Sequence, residues 1–149
     1  MHAITSLIIT VLGFTADRAS KDLMESKPEL TGKTLAGDKI KLIKTENRGF
    51  ALNTLDSNRN LVVTVSAVIF AFLLPAYILV LSKAKLKPLR FGFGLIMAGA
   101  VGNVYDRLVK GYVVDFINVS FLKKIIFNLA DVYIVVGALF ALVGECCVK

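Results

Sequence analysis

An apolar run over residues 61–81 constrains the fold of this chain more than any other feature, because it contains no charged side chain. About 20 consecutive apolar residues allow an α-helix to cross the hydrocarbon core of a bilayer. Pro75 lies within the run, and membrane helices tolerate the kink that a proline introduces. Over the whole chain 56% of the residues are hydrophobic, which is too high a fraction for an ordinary soluble domain. We therefore predict an integral membrane protein.

Three further apolar segments suit membrane-spanning helices, so that the predicted spans cover residues 3–23, 61–81, 91–109 and 128–148. The first segment also has the length of a signal-peptide core, but no Lys or Arg precedes it and three more apolar segments follow. We predict that it remains in the mature protein as the first helix. The fold prediction is one all-α membrane domain over residues 1–149, with four transmembrane helices and both termini on one side.

The only long polar region, residues 26–60, separates the first two predicted helices. The alternation Lys39-Ile40-Lys41-Leu42 within it predicts a short, half-exposed strand. Glycines at positions 32, 37 and 49 are typical of turns. We predict a small β-rich cradle on the membrane surface between the first and second helices.

The formal net charge of +7 arises from 18 basic and 11 acidic residues, and the cations flank apolar runs. Anionic lipid headgroups are therefore the expected partner of these cations, and nucleic acid is not. The basic connection over residues 83–90 favours a cytoplasmic position, but region 26–60 also carries many lysines, so charge alone leaves the orientation open. Cys146 and Cys147 are adjacent and lack any metal-ligand spacing, so we predict small apolar residues at a helix end and no metal site.

Polar side chains interrupt the apolar character of residues 98–131. Those in or beside strongly apolar segments include Asn103, Asp106, Arg107, Asp115, Asn128 and Asp131. Ionisable groups at membrane depth are costly, which favours a functional interpretation. Asp115 and Asp131 lie at the two ends of the connection between the third and fourth spans, and helices that leave and re-enter the membrane on one side bring such positions together. Two neighbouring carboxylates can share a proton, as in an aspartic protease.

Structural interpretations of single residues remain open from the residues alone. Asp17 and Lys21 are four apart on one helical face and can form an interfacial ion pair. Asp106 beside Arg107 can also be a purely structural pair, and residues 47–49 can be a simple turn.

Two other classes of protein also compete with a protease. A proton-coupled transporter uses intramembrane carboxylates, but it would favour mid-span positions and internal repeats. A non-enzymatic assembly factor would use the ridge of small residues Gly94, Ala98 and Gly102 to contact partner helices. It would leave the placement of Asp115 and Asp131 unexplained.

Four motifs in order along the chain resemble those of the lipoprotein signal peptidases (signal peptidase II), a family of bacterial membrane aspartyl peptidases. The motifs are D-x-x-S-K at residues 17–21, G-N-x-x-D-R at 102–107, V-D-F-I at 114–117 and F-N-x-A-D at 127–131. A looser match to N-x-G-A-A-F begins at Asn47, where Phe50 replaces the first alanine and Leu52 replaces the aromatic residue. The resemblance covers essentially the full length.

The resemblance implies an endopeptidase that removes the signal peptide from diacylglyceryl-modified prolipoproteins by cutting before the lipidated cysteine. Asp115 and Asp131 would be the catalytic dyad that activates water, with no metal or organic cofactor. The protein would lie in the bacterial cytoplasmic membrane, with both termini in the cytoplasm and with the cradle and active site near the extracytoplasmic face. Lipidated prolipoproteins and membrane lipid are the expected partners, and we expect a monomer.

The motif matches also identify residues that would support the substrate or the dyad. They are Asp17, Lys21, Asn47, Gly49, Gly102, Asn103, Arg107, Asn128 and Ala130. Amide and guanidinium groups are suited to hold substrate carbonyls or to orient carboxylates, whereas Asp17 and Lys21 suit a scaffold. Asn47 and Gly49 would close over the substrate from the cradle.

Overall fold

The computed structural model describes residues 2–49, 58–82, 87–122 and 125–146. Their elements are α1 (His2–Ser26), β1 (Thr34–Leu35), β2 (Ile40–Asn47), α2 (Arg59–Ser82), α3 (Lys87–Val109), β3 (Val113–Val119), β4 (Ile126–Phe127) and α4 (Leu129–Cys146). Several sequence predictions lie outside the described residues, namely those for Phe50 and Leu52, for residues 83–86 of the basic connection and for Cys147.

The four helices begin and end within a few residues of the predicted spans, and Pro75 lies inside α2. Within the described residues, only α2 is both long and apolar enough to cross a membrane by length and composition, while the apolar part of α4, Leu129–Gly144, is shorter. Charged residues such as Asp17, Lys21 and Asp106 make α1 and α3 less apolar. That all four helices cross the membrane therefore remains a prediction.

Helix α3 packs between α1 and α4 through its small residues. A Cβ atom added at Gly94 would lie 2.9 Å from Ser6 Oγ of α1, and one added at Gly92 would lie 2.5 Å from the carbonyl oxygen of Gly137 in α4. Ala98 meets Gly13 of α1 in the same close manner. The ridge predicted from the glycine spacing thus contacts helices of its own chain, because small residues let helix backbones approach closely.

Hydroxyl groups in the protein interior join α2 to α1, and α1 to α3. Tyr77 lies with its hydroxyl oxygen 3.1 Å from Ser6 Oγ and 2.9 Å from Thr10 Oγ1. Ser6 also donates to the carbonyl oxygen of Arg90 at 2.7 Å. These contacts satisfy polar groups that would otherwise be costly among apolar side chains.

The four strands form one antiparallel sheet in the order β1-β2-β3-β4. Two of them, β3 and β4, lie in the connection between α3 and α4, for which we predicted no strand. The cradle is built from both connections and not from residues 26–60 alone. The strand was missed because β3 begins with four consecutive buried residues, which hides the alternation typical of a half-exposed strand.

The register between β2 and β3 determines what lies beside Asp115. Asp115 pairs with Thr45, and Asn47 pairs with Val113, after a register shift between Leu42 and Thr45. Residues two apart on a strand share one face, so Asn47 and Asp115 lie diagonally on neighbouring strands and can meet. The sheet thus delivers Asp115 and Asn47 together to the ends of α3 and α4.

Candidate active site

The start of α4 is closed by reciprocal hydrogen bonds between Asn128 and Asp131. The backbone N–H of Asp131 donates to Asn128 Oδ1 at 3.0 Å, and the backbone N–H of Asn128 donates to Asp131 Oδ2 at 3.1 Å. This is a capping box, in which two side chains satisfy N–H groups that a helix leaves unpaired at its N-terminus. The spacing of Asn128 and Asp131 in the sequence therefore fixes the carboxylate of Asp131 at the positive end of α4.

Asp115 is almost fully buried and accepts hydrogen bonds from two side-chain amides. Asn128 Nδ2 donates to Asp115 Oδ1 at 2.6 Å, and Asn47 Nδ2 donates to Oδ2 at 2.9 Å. Asn128 therefore contacts both aspartates, one through its side-chain amide and the other through the capping box. The structure thus brings Asp115 and Asp131 to the same place, because both contact Asn128.

Asn103 connects Asp131 to a buried cation on α1. Its Nδ2 donates to Asp131 Oδ1 at 2.8 Å, while its Oδ1 accepts from Lys21 Nζ at 3.1 Å. Lys21 is completely buried and also forms ion pairs with Asp17 Oδ2 at 2.8 Å and Asp106 Oδ2 at 3.0 Å. The ion pair of Asp17 and Lys21 is therefore part of a network that reaches the aspartates.

Asp17 also fixes the position of α4. Its Oδ1 accepts a hydrogen bond from the backbone N–H of Ala130 at 3.0 Å. A Cβ atom at Gly102 would lie 3.2 Å from Asp17 Cγ and 3.6 Å from Ala130 Cβ. Small residues at positions 102 and 130 are thus required because α1, α3 and α4 meet here, and neither Gly102 nor Ala130 presents a functional group.

Arg107 joins the helical part of the site to the end of β2. Its Nη2 donates to the carbonyl oxygen of Gly49 at 3.1 Å, and its Nη1 donates to the carbonyl oxygen of Asn103 at 3.4 Å. The backbone N–H of Gly49 in turn donates to Asn47 Oδ1 at 3.0 Å. The matched residues Asn47 and Gly49 are therefore held at the site by contacts with both β3 and α3.

Asp106 has partners that the sequence did not indicate. We considered a structural pair with the adjacent Arg107, but the carboxylate of Asp106 is fully buried and contacts Arg18 and Lys21 of α1. The interpretation of Asp106 as structural fits these contacts, since it links α3 to α1 on the far side of Asn103 from Asp131.

A cavity of about 500 Å³ opens beside the two aspartates. Its polar end is formed by Asp115, Asp131, Asn47, Asn103, Arg107 and Asn128, and its apolar wall includes Ile69, Phe70, Val104, Ile125, Phe127 and Ile134. Ser66 of α2 also lines it, although its hydroxyl donates to the carbonyl oxygen of Val62. Sequence reasoning missed the contribution of α2, because its uncharged run gives no signal of which face meets the aspartates.

Burial raises the pKa of Asp115 to about 6, and the neighbouring charge of Asp131 acts in the same direction. The hydrogen bonds from Asn47 and Asn128 act against this shift because they stabilise the ionised form. Asp115 can therefore hold a proton near neutral pH more readily than an exposed aspartate. Chemically, the site offers one carboxyl that takes up a proton easily beside one carboxylate fixed at a helix N-terminus.

Comparison with known proteins gives consistent matches along the chain. Residues 9–146 match the sequence profile of the family described as Signal peptidase (SPase) II. A lipoprotein signal peptidase of Caldicellulosiruptor bescii is 39% identical over 125 residues, which cover 84% of this chain and 76% of that protein. A lipoprotein signal peptidase of Brucella ovis is 30% identical over 141 residues, which cover 92% and 87% of the two chains.

The fold is also similar to solved structures of a bacterial membrane enzyme. One, obtained by the in meso method at 2.3 Å resolution, superposes with a TM-score of 0.80 and 25% identity, and covers 95% of this chain and 87% of that one. A second, at 1.9 Å resolution, superposes with a TM-score of 0.78 and the same identity.

Proposed function

Because the chain belongs to the signal peptidase II family of aspartic-type proteases, we propose that it removes signal peptides from diacylglyceryl-modified prolipoproteins. We propose that it cuts before the lipidated cysteine, with Asp115 and Asp131 as the catalytic pair. The main support for this assignment is that Asn128 forms hydrogen bonds with both aspartates at one end of a single cavity. We also propose that the enzyme works as a monomer, because described residues of one chain supply both aspartates and the amides that hydrogen-bond them.

The two aspartates take different roles in this proposal. Asp131 is the ionised partner, because the positive end of α4 and two hydrogen-bond donors stabilise its carboxylate. Asp115 is the partner that holds a proton more readily, because burial raises its pKa to about 6. A pair of carboxyl groups in different environments can thus divide the work of a base and an acid.

Peptide hydrolysis then proceeds in two proton-balanced steps. Asp131 takes a proton from a water molecule while the water oxygen attacks the scissile carbonyl carbon, and Asp115 donates a hydrogen bond to the carbonyl oxygen. In the second step the bond between carbon and nitrogen breaks, and the leaving amine receives a proton from the pair. The products are the signal peptide with a new carboxyl end and the lipoprotein with a free amino end.

The cavity fits a substrate that is both polar and lipidic. The scissile peptide would lie at the polar end, where Asn47 and Arg107 are held beside the pair. The apolar wall, which Phe70 and Ile134 help to form, would contact the diacylglyceryl group or the signal helix. The acyl chains would extend into the bilayer, which avoids the cost of taking them into water.

The proposed enzyme crosses the bacterial membrane four times, with both termini in the cytoplasm and the pair near the extracytoplasmic face. Pairing between β2 and β3 supports a common compartment for the cradle and Asp115. A sheet cannot form across a bilayer from two connections on opposite sides, so the lysines of residues 26–49 must accompany β2. This favours export of the cradle despite its basic residues.

The function is tested by cleavage of a lipidated precursor with the purified enzyme in lipid bilayers. We expect a single cut before the modified cysteine, detected by the masses of both products. The rate should not change when a metal chelator is added, because the proposed mechanism activates water with carboxylates alone. Absence of a cut, a cut elsewhere, or a loss of activity that metal ions restore would contradict the proposal.

The topology is tested by labelling single cysteines in intact cells with a thiol reagent that does not cross membranes, after Cys146 and Cys147 are replaced by alanine. Lys41→Cys, on an exposed position of β2, should be labelled from outside. Ala84→Cys, in the basic connection, should be labelled only after permeabilisation. The reverse pattern would place the aspartates on the cytoplasmic side.

A further inference from the structure

Three asparagine amides surround the proposed catalytic pair, and each must present its NH₂ group and not its oxygen to a carboxylate. Two of them are oriented by nearby backbone. Gly49 N–H donates to Asn47 Oδ1 at 3.0 Å, and Asp131 N–H donates to Asn128 Oδ1 at 3.0 Å. With their oxygens occupied in this way, these amides can only donate to Asp115.

Asn103 is different, because the groups that hold its oxygen are side chains. It lies within α3, where its Oδ1 accepts from Lys21 Nζ of α1 at 3.1 Å and from Asn128 Nδ2 at 3.2 Å. Its Nδ2 then donates to Asp131 at 2.8 Å. The orientation of this amide thus depends on a cation brought from another helix.

The ammonium group of Lys21 is matched to this task. It has three N–H donors and no acceptor, and it meets three oxygens, those of Asp17 at 2.8 Å, Asp106 at 3.0 Å and Asn103 at 3.1 Å. Its side chain is completely buried, so water cannot replace any of these partners. If the amide of Asn103 rotated by half a turn, it would direct N–H groups at Lys21 and its oxygen at the carboxylate of Asp131, which is unfavourable at both ends.

We propose that Lys21 is a positioning residue for the cleavage reaction, which holds Oδ1 of Asn103 so that the Asn103 amide donates to Asp131 and stabilises its carboxylate as the base. This inference rests on the proposed catalytic pair. Lys21 does not contact the reacting atoms and acts through Asn103. The reaction would therefore depend on a cation that lies outside the cavity lining.

A purely structural role makes a different prediction. Lys21 also neutralises Asp17 and Asp106, so its removal leaves two buried carboxylates with less compensation and destabilises the fold in either case. A direct electrostatic effect of Lys21 on the catalytic pair would persist without Asn103, whereas the positioning role acts only while Asn103 is present. The acidic limb of the pH profile of kcat/KM reports the ionisation of the catalytic pair in the free enzyme.

The charged groups that face Asp131 directly are the same in the compared variants, which differ only in the charge of Lys21. Asp115 reaches it from β3 and Arg107 from α3, and both are retained. Behind Asn103 lie Asp17 and Lys21 of α1 and Asp106 of α3. Asp106→Asn is therefore the matched reference, because it removes one carboxylate from the cluster and leaves the contact between Lys21 and Asn103 in place.

The experiment compares Asp106→Asn with Lys21→Met/Asp106→Asn, in which one positive and one negative charge are removed together. In the second variant we expect the acidic limb to move to higher pH by about one unit, the effect of losing one hydrogen bond to a charged group. We also expect kcat to fall at least about tenfold while KM changes little. The limb of Asp106→Asn alone should stay at the wild-type pH.

A third substitution tests whether Lys21 acts through Asn103. Asn103→Ala in the Asp106→Asn background should move the limb in the same direction, and adding Lys21→Met to it should give no further shift. Non-additivity of this kind is expected for residues that act as one unit. Additive shifts, or an unmoved limb with a loss of activity proportional to the loss of folded protein, would overturn the inference.

A measurement on the wild-type chain keeps the inference testable if the lysine variants do not fold. The ¹⁵N signal of the Asn103 side chain, assigned with Asn103→Ala, should differ between the wild type and Asp131→Asn, because the amide donates to the Asp131 carboxylate. An Asn103 signal that is indifferent to Asp131 would refute the orientation. If instead Asp131→Asn cleaves at the wild-type rate, the catalytic pair itself is wrong, which is a separate outcome.

Discussion

Asp115→Asn and Asp131→Asn should each abolish cleavage of a lipidated precursor, with a fall in kcat of at least about 10³-fold. Each substitution keeps the shape of the side chain and removes the proton chemistry of one partner. Asn at position 131 cannot take the proton of water, and Asn at position 115 cannot deliver one to the leaving amine. The measurement is the rate of product formation under single-turnover conditions.

The double variant should be no slower than the worse of the two single variants, because a pair that shares one reaction is lost when either member is lost. Asp106→Asn provides the matched control, since Asp106 is also a buried aspartate but contacts Lys21 and Arg18 and not the cavity. Its folded fraction should retain activity. Wild-type cleavage by Asp115→Asn would remove Asp115 from the mechanism.

Stability distinguishes loss of catalysis from loss of folding. Burial raises the pKa of Asp115 to about 6, above the value of about 3.9 for an unfolded chain. The folded state therefore binds this proton more tightly, and ionisation of Asp115 removes stability as the pH rises from about 4 through 6. Asp115→Asn lacks this loss, so its free energy of unfolding relative to wild type should increase over that pH range.

The positions of the helices and of α4's capping residues were predictable because their causes are local. Apolar length decides where a helix can span a membrane, and the predicted spans agree with α1 to α4 to within a few residues. Asn128 and Asp131 are three residues apart, which is the spacing of a capping box. The spacing alone therefore indicates that the carboxylate of Asp131 lies at the start of a helix.

The surroundings of Asp115 were not predictable, because they depend on strand register. Its bond with Asn47 joins residues 68 positions apart in the chain. That bond requires β2 and β3 to pair with the register shift between Leu42 and Thr45. A shift of one residue would turn Asn47 to the other face, and nothing in the local sequence fixes that choice.

For Asp17 and Lys21, the sequence identified the residues but not their contacts with other helices. Their helical spacing predicted the ion pair, and the ion pair is present. The contacts of Lys21 with Asn103 and of Asp17 with Ala130 depend on how α1 packs against α3 and α4. Small residues on α3 permit that packing, but the spacing of glycines does not say which helix they will meet.

A precursor that lacks its diacylglyceryl group should be cleaved at least about a hundredfold more slowly than the lipidated form, judged by kcat/KM. The apolar wall of the cavity adjoins the proposed pair, so a lipid bound there would help to place the neighbouring peptide bond at Asp131. The acyl chains lie in hydrocarbon before and after binding, so their contribution comes from orienting the substrate and not from leaving water. A factor of about one hundred corresponds to about 2.8 kcal/mol of such positioning energy.

The comparison needs substrates that differ only in the lipid, because both precursors remain anchored by the signal helix. A precursor whose thioether carries glycerol with two-carbon acyl groups is the matched control, since it keeps the ester and thioether chemistry and removes the long chains. It should react at a rate close to that of the unlipidated precursor if the acyl methylenes supply the affinity. Equal kcat/KM for the long-chain and unlipidated precursors would mean that the cavity recognises only the peptide part of the substrate. The enzyme would then be a general membrane peptidase.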